Sequence, residues 1–527
     1  MAEAPVTQSF YYPVSPLDRV LITFIVMTGF FMAILDTTIV DIVVPKMMGP
    51  LSTDLYGIQW VITAYMTAAA AGLIFVVSLA PRIGYAWTFL AGLTLFTLSS
   101  AMCGLAGSLA SMVFWRVVQG LGEAFIAASA QTILLAVYPP ERQGLAMGIF
   151  GLGVSFAPAL GPTLGGFLTE HLSWRWVFYI NLPVGVLTLV AGLFFLPRAI
   201  GRTGRFEFNP ISYIFLTAFT VSLLVLLSKG QQLGWFQSTV IGTLAFVSAL
   251  ALVAYLISEL LSRKPLLDLS IYLIPEFGLT MAYHFFVLGF SMYQVFYLLP
   301  LYYENLKGLT TFQAGLHILA FASCIGLFSV ISGALSDRFK PEYLLVASFF
   351  IYSFVSIFLL PRLNYYTPAF TAALYTVPLG MAIGTFFPPL TRITLSNLGP
   401  RTGLGVVLMH YQRFIGGSFG TAIATNTLTY RTDFHLQEIT GLQNRVLFEK
   451  AIQKGTAFLE PFFPSELAIR KAKALMFKVE SLYAASYAFQ DTFRRTYYFA
   501  LLGAVFLFIL FFRNLYRSYQ ARREVRA

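Results

Sequence analysis

Residues 20–44 read VLITFIVMTGFFMAILDTTIVDIVV, an apolar run interrupted by two charged side chains, Asp36 and Asp41. A helix of that length crosses a hydrocarbon core of about 30 Å. The run starts only after Asp18 and Arg19, is too long for a secretory signal and lacks a small-residue cleavage pattern, so it reads as a retained first span. Comparable runs recur at 56–79, 86–106, 109–137, 143–169, 175–197, 210–229, 236–261, 276–303, 311–334, 341–360, 368–393, 401–429 and 496–513, which predicts fourteen transmembrane helices.

The composition agrees with a chain whose main solvent is lipid. Hydrophobic residues make up 57% and charged residues 11%, whereas soluble domains carry about 25% charged residues. The net charge of +11 would suit a nucleic-acid binder, but the basic residues lie mainly between the apolar runs, so no nucleic-acid partner is expected. Cys103 and Cys324 both fall inside apolar segments and imply neither a disulfide framework nor a metal site.

An even number of spans places both termini on one side. Lys and Arg resist translocation in short loops, and Arg82, Arg142, Arg198, Arg202, Arg263, Lys264, Arg338, Lys340 and Arg513 share the side of the termini. Lys46, Arg175, Lys229, Lys307 and Arg362 occupy the opposite short loops. The bias predicts cytoplasmic N- and C-termini. Residues 430–495 then fall outside the membrane on the other face, where Leu467, Ile469, Leu475, Met476, Val479 and Leu482 recur at roughly helical spacing. A small folded cap is expected there, serving either as a packed lid or as a docking surface.

The chain repeats itself at low resolution. SLAPRIG at 78–84 and GALSDRF at 333–339 follow the second and tenth spans, and align Arg82 with Arg338. The expected organisation is all-α: a six-helix half in 1–200, a linker with two extra helices in 201–275, and a second six-helix half in 276–527 that carries the insert at 430–495. Parallel six-helix halves are a known transporter plan.

Several ordered motifs sharpen this reading. LDTTIVDIVVP occupies 35–45, QWVITAY 59–65, RVVQGLGE 116–123, APALGPTLGG 157–166 and WRWVFYINLP 174–183; KPLLDL at 264–269 and PPLT at 388–391 follow. Together they resemble the fourteen-span drug:proton antiporters of the major facilitator superfamily, most closely the EmrB-type multidrug exporters, along essentially the whole chain. The resemblance implies the major facilitator fold with a central cavity between the halves. It also implies proton-driven export of hydrophobic or cationic amphipathic compounds across an inner membrane. An EmrA-type periplasmic adaptor and a TolC-type outer-membrane channel would be its partners.

Individual residues can carry such chemistry. An ionised carboxylate inside a membrane is costly unless paired, hydrated or protonated, which makes Asp36 a natural proton carrier. Arg116 lies at matching depth on the fourth span, either favouring the ionised form of Asp36 in one conformation or forming a permanent packing pair with it. The resemblance places both at positions tied to coupling. Asp41 sits about 140° around the helix from Asp36 and nearer the outer mouth, as a solvated or helix-end residue. Glu123 shares a face with Arg116 and is the second proton-site candidate, or else the end of a charge ladder through Gln119.

Pro158, Gly161, Pro162, Gly165 and Gly166 allow close helix approach and local loosening; the resemblance associates this pattern with antiport. Pro81 stands where the superfamily usually has Asp in the loop after the second span. The second copy keeps Gly333, Asp337 and Arg338, a candidate conformational latch. Gln119, His284, Gln294 and Tyr297 are candidate cavity residues, and Arg413, mid-membrane on the thirteenth span, requires a partner that the sequence does not name.

No Walker-type loop or hydrolase constellation accompanies the spans, so an ion gradient is the expected energy source, without cofactor or metal. A proton-coupled importer or symporter on the same fold, and a membrane enzyme or transport-inactive sensor, remain the alternatives.

Overall fold

A computed structural model describes residues 11–204, 206–441 and 445–526. Helices dominate: α1 Pro16–Met47, α2 Trp60–Ile83, α3 Tyr85–Leu105, α4 Leu109–Val137, α5 Gln143–His171, α6 Asn181–Phe195, α7 Pro210–Lys229 and α8 Thr239–Leu261. They are followed by α9 Pro275–Leu306, α10 Thr311–Arg338, α11 Pro341–Arg362, α12 Ala369–Leu395, α13 Thr402–Gly441, α14 Arg445–Leu459 and α15 Ser465–Arg526. Among the described residues, twelve stretches have the length and apolarity to cross a membrane. Helices α5 and α13 lie among them with sufficient length, so a count of fourteen fits.

Local chemistry sets many of the boundaries. Ser15 caps α1 by accepting from the Asp18 backbone N–H, with Pro16 and Asp18 in the first turn. Ser108 caps α4, and Thr310 forms a capping box with Gln313 at the start of α10. At the other end of α4, Arg19 Nε donates to the Val137 carbonyl at 2.9 Å, satisfying a helix C-terminus. Helix α9 is interrupted by wide π-type turns at Phe285–Met292 and Tyr302–Leu306, which rotate the side chains beyond them relative to a regular helix.

Glycines bring a first set of helices, from the first part of the chain, against a second set that begins at α9. A Cβ at Gly148 on α5 would come within 2.6 Å of the Ser329 carbonyl oxygen on α10, and one at Gly333 would overlap the Gly144 carbonyl. Backbones can approach that closely only where side chains are absent. Helix α7 stands outside α2 and α13. Thr63 and Ser228 pair at 2.9 Å on one side, and Thr220 and Tyr411 at 2.6 Å on the other. Helix α8 packs behind α7, where Ser212 meets Ser258 at 2.9 Å.

Burial is asymmetric along the bundle axis. At the end carrying the termini, Ile22, Phe30, Ala146 and Phe150 share one core with Phe277, Met281, Leu395, Leu398, Val406 and Met409. At the far end, Leu35, Ile39, Val43, Met112, Trp174 and Phe178 form a core drawn from the first set alone. The second set has its own core around Val287, Leu298, Tyr302, Phe321 and Phe489. The terminal end is therefore closed by contacts between the halves.

The 430–495 stretch, expected as a small folded cap, is built from extensions of two long helices together with α14. Helices α13 and α15, of 40 and 62 residues, are about 60 and 90 Å long, and both continue beyond any bilayer core into a stalk completed by α14. Arg431 and His435 on α13 hold Asp491 on α15, the latter at 2.8 Å. The amphipathic spacing read in the sequence belongs to these helical extensions.

Candidate functional site

Asp36 lies on α1, about 16 Å from its far end, with its side chain wholly buried. Arg116, about two turns into α4, brings Nη1 to 2.6 Å from Asp36 Oδ2. Oδ1 accepts from Gln119 Nε2 at 3.0 Å and from Asn181 Nδ2 at 2.7 Å. Three donors from α4 and α6 therefore converge on one carboxylate of α1, an arrangement that stabilises the ionised form where burial excludes bulk water.

Each donor is held by further contacts. Arg116 also donates to the Val61 carbonyl at 3.0 Å and to Gln119 Oε1 at 2.9 Å, and its guanidinium lies 3.9 Å from the centroid of the Tyr65 ring. Asn181 stands at the first position of α6, just after the short turn Trp176–Tyr179, and also donates to Ser100 Oγ at 3.0 Å. Ser100 in turn donates to the Phe178 carbonyl at 2.8 Å. Because Arg116 keeps these other partners, it is not stranded when the charge on Asp36 is removed.

The small residues of α5 position α1 against this cluster. A Cβ at Gly161 would overlap Thr38 Oγ1, and one at Gly165 would lie 3.2 Å from Ile39 Cγ2. Both contacts fall within one turn of Asp36. Gly166 instead faces α10, at 3.7 Å from Phe312 Cβ. Pro158, Pro162 and Asp41 are on helices, but their side chains lie outside the described residues.

Glu123 is buried midway along α4. Its Oε2 has no hydrogen-bond partner among the described residues. Gln119 turns towards Asp36 and Arg116, so the structure gives no ladder from Gln119 to Glu123.

Arg413 reaches a small cavity between the halves, of about 30 Å³. Gln131, Met147, Phe150 and Val154 come from α4 and α5, whereas His284, Phe387, Thr391, Met409, His410 and Arg413 come from α9, α12 and α13. His284 is thus at the cavity. Gln294 and Tyr297 are not part of its lining: Gln294 is fully buried and donates to the Phe290 carbonyl, and Tyr297 packs on the core of the second half. The wide turn at Phe285–Met292 separates them from His284.

At the terminal end, Asp337 accepts from the backbone N–H groups of Gly144 at 2.8 Å and Leu145 at 2.9 Å, and pairs with Arg392 Nη1 at 2.9 Å. A carboxylate from the second half thereby caps the first turn of α5 in the first half. Gly333 supplies the close approach one turn earlier; Arg338 makes no hydrogen bond or ion pair with a described residue. In the first-half loop, the Pro81 carbonyl accepts from Thr203 and Gly204 within the linker, and Pro81 itself has no carboxylate to offer.

Sequence reasoning singled out Asp36, Arg116 and Gln119, but not Asn181, Tyr65, Gln131 or His410. Asn181 stood inside the motif at 174–183, and His410 is an imidazole in an apolar span three residues before Arg413; intramembrane polarity was the available signal for both.

Many membrane-length helices around a cavity, with a buried ion pair among the first of them, suit a multi-pass membrane transporter. The chain belongs to the Major Facilitator Superfamily, whose family model matches residues 26–421. It is 30% identical over 416 residues to the uncharacterized MFS-type transporter YhcA of Bacillus subtilis, covering 79% of this chain and 77% of that one. It is also 30% identical over 433 residues to the multidrug export protein EmrB of Escherichia coli, covering 81% and 84%. Among solved structures, the human organic anion transporter MFSD10 aligns with a TM-score of 0.57 over 94% of this chain and 100% of that one. Its 13% identity speaks to the fold alone.

Proposed function

We propose that the protein is a proton-coupled antiporter that exports hydrophobic or amphipathic compounds across the inner membrane by alternating access, with both termini in the cytoplasm. The observation that carries this reading is the clamp on Asp36, in which one carboxylate of α1 is held by Arg116, Gln119 and Asn181 from two other helices. Likeness to a multidrug export protein over 81% of the chain supports the direction of transport.

In this reading the closed terminal end is the cytoplasmic gate, latched by Asp337 on the α5 N-terminus. Protonation of Asp36 turns an acceptor into a donor and weakens all three bonds at once. Helix α1 is then free to shift against α4 and α6, and it is packed through Thr38 and Ile39 on the glycines of α5. Because α5 is the helix gripped by α10 and Asp337, a charge change at Asp36 bears on the interface between the halves. Glu123, buried two turns further along α4 from Arg116, is a second proton site. No cofactor takes part, and the proton gradient supplies the energy. An EmrA-type adaptor and a TolC-type channel would complete the route, with the stalk of α13, α14 and α15 on the side they occupy.

Inverted and right-side-out vesicles test the direction. Accumulation of a fluorescent amphiphile in inverted vesicles, collapsed by a protonophore and absent from right-side-out vesicles, is expected. Accumulation only in right-side-out vesicles would show import and overturn the proposal.

A further inference from the structure

The cavity between the halves contains a cation without an ion-pair partner among the described residues. Arg413 lies about 16 Å along α13, half-buried, and forms no hydrogen bond with any described residue either; its guanidinium meets only the ring of Phe414, at 5.7 Å. No ion pair joins it to Glu123 of α4, which is not part of the cavity wall. A guanidinium at membrane depth is costly unless its donors are used. Two buried imidazoles flank it. His284 Nδ1 and His410 Nε2 have no hydrogen-bond partner among the described residues, and both residues line the cavity.

Resting on the export reading above, we propose that Arg413, His284 and His410 form the head-group subsite for an amphipathic monoanion, a carboxylate carried on an apolar body. The guanidinium presents a planar fork that matches two carboxylate oxygens, and each neutral imidazole offers one N–H. Gln131 and Thr391 add polar groups to the wall. Among the described residues no Asp or Glu lines the cavity, so a cationic head would meet Arg413 with no carboxylate in the wall to neutralise it. This narrows the substrate expectation away from cations.

The apolar body has its own place. Met147, Phe150, Val154, Phe387 and Met409 supply the rest of the lining, an apolar wall that suits an alkyl body; the space open here is about 30 Å³, enough for water alone, so the body enters as the halves part. Phe30 and Phe150 stack at 4.6 Å and both meet the His410 ring edge-on at 6.1 Å. His410 of the second half is thus held by aromatic rings of the first. An anion bound here touches both halves, so its affinity depends on how they are docked.

Decanoate, decanol and decyltrimethylammonium share a chain and differ in the head, and their binding to the purified full chain in lipid nanodiscs separates the terms. Decanoate is expected to bind roughly tenfold more tightly than either analogue, as one charge-assisted contact of about 1.4 kcal/mol would give. R413Q should lose that preference while decanol binding stays unchanged, and R413K should retain part of it. H284Q and H410Q leave the cation in place, and each should weaken decanoate by about threefold, which keeps the test decisive if R413Q does not fold. Equal affinity for the three probes, or decanoate binding unaltered in all the variants, overturns the subsite whatever the vesicle assay shows. Decanoate preference that depends on Arg413, in a protein that drives no probe along the proton gradient, would uphold the subsite and sink the export reading instead.

Discussion

Replacing Asp36 by Asn removes a charge while keeping the side-chain shape, and the bonds around the carboxylate set the size of the effect. The amide retains one acceptor oxygen where the carboxylate has two. If that oxygen stays with Arg116, the new NH2 faces the Gln119 and Asn181 amides, which now donate at 3.0 and 2.7 Å, setting donor against donor. Hydrogen bonds to charged groups contribute about 1.5–3 kcal/mol each, and breaking a buried pair by removing one partner costs roughly 3–5 kcal/mol. Arg116 keeps the Val61 carbonyl, Gln119 Oε1 and the Tyr65 ring, so the low end of that range, about 3 kcal/mol, is expected. The variant should insert and purify but unfold at lower denaturant. Its substrate-induced proton release in weakly buffered proteoliposomes, monitored with a pH dye, should vanish, and gradient-driven export with it. Proton release and export at the rate of the unmodified protein would refute the assignment of Asp36 as carrier.

Asn181→Ala removes a donor to both Asp36 and Ser100, and should cost about 1–3 kcal/mol and slow export; unchanged unfolding in detergent would contradict the clamp. Asp337→Ala leaves two N–H groups of α5 and Arg392 without their acceptor, so hydrogen exchange over residues 143–150 should accelerate, and unaltered protection there would show that the latch does not hold the terminal end shut. Gly161→Val drives a branched side chain into Thr38 beside the proton site, at a cost of about 1–3 kcal/mol, and melting at the temperature of the unmodified protein would argue against that helix contact.

The spans were legible because the bilayer imposes the same demand on every segment: enough apolar residues in a row to cross it with the backbone satisfied internally. The 20–44 run shows this directly. The same logic exposed Asp36, Arg116 and Glu123, since a charge in such a run is visible without any partner. Segment ends were less legible. Residues 430–495 read as a small folded cap at helical spacing; that α13 and α15 themselves continue into it was not legible, because helical propensity persists after the apolar stretch stops.

What only the tertiary structure decided is which polar groups meet. Asp36 lies 145 positions from Asn181, and their contact depends on how α1, α4 and α6 are rotated and how near small residues let them come. Gln119 could have faced the cavity or the ion pair; packing turned it to the ion pair. Arg413 could have paired with a carboxylate and instead faces a space between the halves. Length and apolarity are properties of one segment at a time, whereas helix rotation is settled by contacts among segments far apart in the chain, so the sequence alone determined the spans and their charges but not the partners of those charges.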